Sequence, residues 1–369
     1  MQVTITDLRL AYGDVVAVDG LDLAIHDGES IVLLGQSGCG KTTTMRCIAG
    51  LEEPTGGRIT IGGATVFDHV RGRCLPSYKR NVGMVFQSYA VWPHKTVLEN
   101  VTFPLRMKKV RRPAARQRAL EALELVGLAH LADRGASRLS GGQMQRVALA
   151  RSMAMEPSVL LLDEPLSNLD ARLREDLRVE LRHLQQQRGL TSMYVTHDQQ
   201  EALALADRIA IMQGGHITQL GTPEEVYSRP ASASIARFMG VANLFEIAGR
   251  TDHRVELADA ALALRTGASP SRDATSAGVR PEDVSVRRED GAVDGVNAFP
   301  GTVEVCVYQG SSVRYQVALD GGVTVDAVCV DAGGALVRGD RAVVEIAPEA
   351  VLVLPEEAPA APGPEEAAA

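Results

Sequence analysis

The chain has 369 residues, of which 45% are hydrophobic and 23% charged, with a formal net charge of −8. This composition is globular, the length favours two domains over one, and the acidic balance argues against nucleic acid as the main partner. No uncharged apolar run approaches the roughly 18 residues of a membrane-spanning helix, and the N-terminus lacks a signal-peptide pattern, so the chain is expected to be soluble and cytoplasmic or to reach a membrane through a partner. Five scattered cysteines, Cys39, Cys47, Cys74, Cys306 and Cys329, lack ligand spacing and read as reduced thiols.

Residues 1–34 alternate in strand fashion, with Val3 and Ile5 and then Leu21, Leu23 and Ile25 on one face, and they carry an early aromatic, Tyr12. The apolar run Ile31 to Leu34 reads as a buried strand. It leads into Gly35, Gln36, Ser37, Gly38, Cys39, Gly40, Lys41, Thr42 and Thr43, which fit G-x-x-x-x-G-K-[ST], followed by a helix-forming run. Glycines let backbone N–H groups close around phosphate oxygens, because no Cβ blocks the approach or forbids positive φ. The helix starting near Lys41 aims its N–H groups and positive end at the same anion. Lys41 suits the β- and γ-phosphates and the Thr42 hydroxyl suits Mg²⁺, so the stretch points to a nucleotide triphosphate.

ITIGGATVF reads as strand, and Val82 to Phe86 as a buried strand ending at Gln87. From about 88 to 155 the character is helical, with Ala119, Leu120, Leu123, Leu125 and Val126 on one stripe. KKVRR, Lys108 to Arg112, reads as a solvated loop or helix edge. Ser140, Gly141, Gly142 and Gln143 precede a periodic helical run, where a helix N-terminus would offer a second phosphate-binding surface. Val159 to Leu162 is a short apolar run, as expected of a central strand covered on both faces, and it ends in Asp163 and Glu164. Side chains alternate along a strand, so this pair cannot face one way. Asp163 suits holding Mg²⁺ through water, and Glu164 suits a general base that polarises an attacking water. Leu173, Leu177, Leu181 and Leu184 make the next segment an amphipathic helix, and MYVTHD and DRIAIMQGG supply two more strands. Strands alternating with helices predict a mostly parallel α/β sheet. Beyond Asn243 short alternating strands such as TVEVCV and SVRYQVAL predict an all-β domain. The tail PEEAPAAPGPEEAAA cannot bury a core and is expected to be disordered.

Taken in order, GQSGCGKTT, FQSYAVWPH, LSGGQMQR, VLLLDEPLSNLD and VTHD closely resemble the ATP-binding subunit of ABC transporters over residues 1–238. GVRPEDV, NAFPGTVEVCVYQG and DRAVVEIAPEAVLVL resemble the small TOBE-like barrel appended to importer ATPases of the maltose, spermidine and ferric-iron types. The resemblance implies a P-loop NTPase fold with a helical subdomain, over 1–240, an OB-like β-barrel domain for regulation and dimer contact over 241–355 and a disordered tail over 356–369. It implies that Tyr12 stacks on adenine, that Gln87 senses Mg²⁺ and the attacking water, and that His197 contacts the γ-phosphate and supports Glu164. Ser167, Asn168, Leu169 and Asp170 would link two active sites in a head-to-tail homodimer, each ATP lying between one phosphate loop and the partner's LSGGQ. The implied role is ATP hydrolysis that energises uptake of a polyamine, ferric iron or sugar through a separate permease at the membrane's cytoplasmic face, served indirectly by a solute-binding protein. The alternatives are an ABC-type ATPase acting on nucleic acid or ribosomes, and an export ATPase. The segment after Gln87, with the only tryptophan, Trp92, would be partly exposed and line the permease groove.

Overall fold

A computed structural model of the chain describes residues 1–291, 293–330 and 336–357; the expected disordered tail lies outside the described residues from 358 onward. The chain folds as two compact units that divide between Glu224 and Glu225.

The first unit begins with strands that pair among themselves. β1 (Val3–Tyr12), β2 (Val15–Ile25), β4 (Gly56–Ile61), β5 (Ala64–Asp68) and β6 (Arg73–Cys74) form an antiparallel sheet in the order β2-β1-β4-β5-β6. The stretch ITIGGATVF is therefore a hairpin rather than one strand. Gly62 and Gly63, at φ 57° and 78°, make its turn, and a Gly-Gly pair between alternating runs is a hairpin signal.

The second sheet holds β3 (Ser30–Leu34), β7 (Val82–Val85), β8 (Val159–Asp163), β9 (Ser192–Thr196), β10 (Arg208–Gln213) and β11 (His216–Gly221), ordered β11-β10-β3-β9-β8-β7. All its pairings are parallel except β10 with β11. β8 is buried along its length, one place in from the β7 edge. Alternation sorts its neighbours. Ile31, Leu33, Val159, Leu161, Met193 and Val195 share one core with Val3, Ile5, Leu23 and Ile59 of the antiparallel sheet. Helix α1 (Lys41–Ala49) contributes Met45 and Ile48 to that core. Leu160, Leu162 and Tyr194 face the other way, beside Leu181 and Leu184 of α5 (Ala171–Arg188) and Leu205 of α6 (Gln199–Leu205).

Between β7 and β8 come α2 (Val97–Met107), α3 (Arg112–Leu125) and α4 (Gly141–Met153). Thr96 starts α2 and Ser140 starts α4, each with a reciprocal capping box to a residue three further on. On α3, Ala119 and Leu123 are buried, with Val126 just beyond, while the basic run between α2 and α3 is exposed apart from half-buried Val110.

The second unit is all-β apart from two short helices at its start, α7 (Pro223–Ser228), whose first two residues precede the division, and α8 (Ala233–Phe238). Its strands β12 (Asn243–Thr251), β13 (Arg254–Leu257), β14 (Ala263–Arg265), β15 (Ser276–Val279) and β21 (Leu352–Leu354) form one antiparallel sheet. β16 (Val284–Arg288), β17 (Ala298–Tyr308), β18 (Ser312–Leu319), β19 (Thr324–Val330) and β20 (Arg341–Ile346) form another, and both line one hydrophobic core. The change of sequence character near 240 falls inside this unit. Ala233 and Ala236 of α8 pack with Val241, Leu244, Leu352 and Leu354, and Arg280 donates to the Met239 carbonyl at 2.8 Å.

Candidate active site

The phosphate loop runs from β3 to α1. A Cβ at Gly35 would lie 2.3 Å from the Met212 carbonyl oxygen, and one at Gly40, which sits at φ 100°, would lie 2.3 Å from the Ala17 carbonyl oxygen. Only glycine fits either place. Gln36, Ser37 and Gly38 form an exposed crest, with Cys39 tucked beneath it. α1 has no acidic residue in its first turn, so nothing on the helix cancels its positive end. Lys41 is 6% exposed, and its ammonium donates to the carbonyls of Gly35 and Gln36, both at 2.8 Å. It also lies 3.5 Å from the Cys39 sulfur, and a buried cation with these neutral partners and, among the described residues, no paired carboxylate is a ready partner for an anion.

Three strand ends bring the remaining chemistry to the same edge. Asp163 ends β8, 6% exposed, and accepts a 2.9 Å hydrogen bond from the Thr42 hydroxyl. Burial raises its pKa above the ordinary carboxylate value, and the Thr42 bond works against that rise. Glu164 turns away, as strand alternation demands, and leaves the sheet in left-handed backbone at φ 42°. Gln87, just past β7, donates its amide to Glu164 Oε2 at 3.2 Å. His197, just past β9, has Nδ1 3.1 Å from Glu164 Oε1. The backbone beside the histidine is tied down. Asp198 N–H donates to the Thr196 hydroxyl at 3.0 Å, and the Asp198 carboxylate caps α6 by accepting from Gln200 N–H at 2.8 Å. One carboxylate thus meets an amide donor and an imidazole at the carboxyl end of a parallel sheet, where ligand sites of open α/β sheets lie.

The loop Ser167 to Asp170 is attached to this cluster. Gln87 also reaches Ser167 Oγ at 3.4 Å, and Asn168 donates to the Gln87 carbonyl at 2.9 Å. Tyr12, at the end of β1, is 52% exposed. Ser140, Gly141, Gly142 and Gln143 are the residues this chain does not bring to its own phosphate loop. Ser140 and Gln143 bond to each other, and a methyl group at Gly141 would sit 3.4 Å from Leu169.

Three residues of this region escaped the reading of the sequence. Asn100, fully buried in α2, accepts from Trp92 N–H at 2.8 Å and donates to the Trp92 carbonyl at 3.1 Å. Arg151 in α4 donates to the carbonyls of Tyr89 and Ala90. Arg174 in α5 bonds the Leu169 carbonyl at 3.1 Å and approaches Asp198 at 3.6 Å. The signal was a polar residue on an apolar stripe, as with Asn100 between Leu98 and Val101. Trp92 itself is half-buried and tilted against Phe103, with ring centroids 4.5 Å apart.

A glycine-rich loop over a buried lysine, a carboxylate cluster at a strand end and a separate helix-capping signature are the features the chain brings together. Residues 18–167 match the family model described as ABC transporter, and residues 277–354 match the TOBE domain. The chain belongs to the ABC transporter family, as an importer-type ATP-binding subunit, and it is an ATPase coupled to transport. It is 47% identical over 334 residues to an "Fe(3+) ions import ATP-binding protein FbpC" of Rhizobium etli, covering 87% of this chain and 88% of that protein. It is 52% identical over 238 residues to a "Trehalose/maltose import ATP-binding protein MalK" of Thermococcus litoralis, covering 64% of each. Among solved structures, the dimeric post-hydrolysis state of the ATP-binding cassette MJ0796 bound to ADP and Pi aligns with TM-score 0.52 and 32% identity, over 60% of this chain and 98% of that one.

Proposed function

We propose that this subunit drives ferric-iron uptake through a separate membrane permease, hydrolysing ATP at two sites shared across a head-to-tail homodimer. The observation that carries the chemistry is Glu164 held between Gln87 at 3.2 Å and His197 at 3.1 Å, at the sheet edge that also bears Lys41. Glu164 takes a proton from water as the water oxygen attacks the γ-phosphorus and the bond to the β-phosphate bridge breaks, with Gln87 orienting the water. Lys41 would exchange its two carbonyl partners for phosphate oxygens, and Tyr12 offers an open ring for the base. The Thr42 and Asp163 oxygens, 2.9 Å apart at a desolvated anionic site, fit Mg²⁺, a hard cation that prefers oxygen donors and retains several waters. When bound, the ion neutralises charge on the β- and γ-phosphates.

Two features support the shared site. Ser140 to Gln143 make no hydrogen bond to the phosphate loop of their own chain among the described residues. The helix start they form also suits a phosphate presented by a second copy. Uptake and peripheral membrane association are supported by the importer names of the relatives, and ferric iron by the name of the Rhizobium etli protein. The exposed basic run and half-buried Trp92 favour the helical subdomain as the permease-facing surface. The experiment is transport into vesicles carrying the reconstituted complex. The parent should accumulate iron delivered by the solute-binding protein, whereas Glu164→Gln should bind ATP normally while uptake and hydrolysis fall about 10²- to 10⁴-fold. Normal turnover by this variant overturns the base assignment, and maltose uptake without iron uptake overturns the cargo.

A further inference from the structure

The loop that leaves Gln87 is held in an unfavourable shape. Tyr89 and Ala90 take left-handed backbone at φ 61° and 48°, a region that residues bearing a Cβ avoid. Tyr89 is also buried, and among the described residues its hydroxyl has no hydrogen-bond partner. Such a conformation persists only where its surroundings over-determine it.

Arg151 supplies that constraint. It lies in α4, 9% exposed, and its guanidinium donates to the Ala90 carbonyl at 2.6 Å and to the Tyr89 carbonyl at 2.8 Å. The same group sits 5.0 Å from the centroid of the Trp92 ring. Among the described residues no carboxylate pairs with it. Burial lowers its pKa. A buried cation without a counter-ion is costly, and an apolar side chain would fill the space with less penalty. The planar fork has a use that an apolar chain lacks, because it can grip two successive carbonyls at once. One residue along, Ser152 Oγ donates to the Met84 carbonyl in β7 at 2.8 Å. The far end of α4 therefore grips both β7 and the loop beyond it, with Gln87 between the two. The near end of α4 is Ser140.

We propose that Arg151 is a positioning residue for hydrolysis: its fork holds the Tyr89–Ala90 turn, sets where Gln87 places its amide against Glu164, and makes Gln87 move with the helix that begins at Ser140. This rests on the assignment of Glu164 and Gln87 made above.

The test uses the full chain and steady-state ATP hydrolysis by Arg151→Lys, Gln87→Ala and the double variant. Arg151→Lys keeps the buried charge, so it folds, but it cannot bridge both carbonyls. Its kcat should fall about 10- to 100-fold, the scale of a small misplacement, while KM for ATP stays within about 2-fold. Emission from the single tryptophan should shift, since the cation over Trp92 has moved. Adding Arg151→Lys to Gln87→Ala should cost nothing further if the arginine acts through Gln87. Ala90→Gly, which removes the left-handed penalty, should restore part of the turnover lost in Arg151→Lys. Parental kcat in Arg151→Lys, multiplying losses in the double variant, or no recovery with Ala90→Gly overturns the proposal. Failure of the underlying assignment looks different: Glu164→Gln would then turn over normally, whatever Arg151 does.

Discussion

Asp163, proposed above to hold Mg²⁺, shows at the scale of one residue what burying a carboxylate costs the fold. Its carboxylate is buried, and burial raises its pKa against the lowering effect of the Thr42 bond. The sign follows from linkage. A carboxyl group with a raised folded-state pKa favours the fold below its ordinary unfolded value, and that contribution is lost as pH rises through the folded value. Raising the pH through that range therefore forces on the nucleotide-free protein a charge that its surroundings disfavour. Asp163→Asn should raise Tm of the nucleotide-free protein, and the gap over the parent should widen as pH climbs from the acid side of the carboxylate range to neutrality. The same variant should lose Mg²⁺-dependent hydrolysis. Calorimetry across pH checks this, and a lower Tm at neutral pH would show that the carboxylate stabilises the apo fold.

At the scale of the element, α1 must present a rigid start to the phosphates, so its end has to be secured. Gly50 ends it in left-handed backbone at φ 73°, with its N–H on the Arg46 and Cys47 carbonyls. Arg80 completes the cap from a distant turn, donating to the Cys47 and Ile48 carbonyls at 2.6 and 3.1 Å and to the Leu75 carbonyl at 2.7 Å. A side chain on Gly50 would start 2.5 Å from the Arg80 Nε, so the glycine and the arginine require each other. Arg80→Met should cost about 2–4 kcal/mol, since hydrogen bonds from a charged donor contribute more than neutral ones and the freed carbonyls are buried. Urea unfolding of the full chain should show the loss as an earlier first transition. An unchanged midpoint would mean that solvent replaces Arg80 without penalty.

At the scale of the whole molecule, the division of the chain makes a prediction about fragments. A fragment ending at Glu224 contains both sheets of the first unit and the residues proposed to bind and hydrolyse ATP. A fragment ending at Gly240 adds the rest of α7 and all of α8 but omits Val241, Leu244, Leu352 and Leu354, the apolar partners of α8. Ala233 and Ala236, both fully buried in the full chain, would then lose that cover and face water. The shorter fragment should elute as a soluble, ATP-binding species, and the longer one should aggregate in size-exclusion runs. Equal behaviour of the two would place the functional boundary at the change in sequence character instead.

The phosphate loop, the signature and the acidic strand end could be read from the sequence because each is contiguous and its chemistry is local. Glycine spacing dictates backbone approach, and an apolar run ending in Asp163 and Glu164 dictates opposite facings. The all-β character beyond 240 was equally legible, from period-2 alternation between turn residues. What tertiary structure decided was convergence. Gln87, Glu164 and His197 lie far apart in the chain and meet because β7, β8 and β9 are adjacent parallel strands that end at one edge. The same holds for Arg80 on α1, Arg151 on the loop after Gln87 and α8 against Leu352 and Leu354. Each is a contact between segments whose own patterns are complete without it, so no local period or propensity announces it, and only packing determines which carbonyl a buried guanidinium will find.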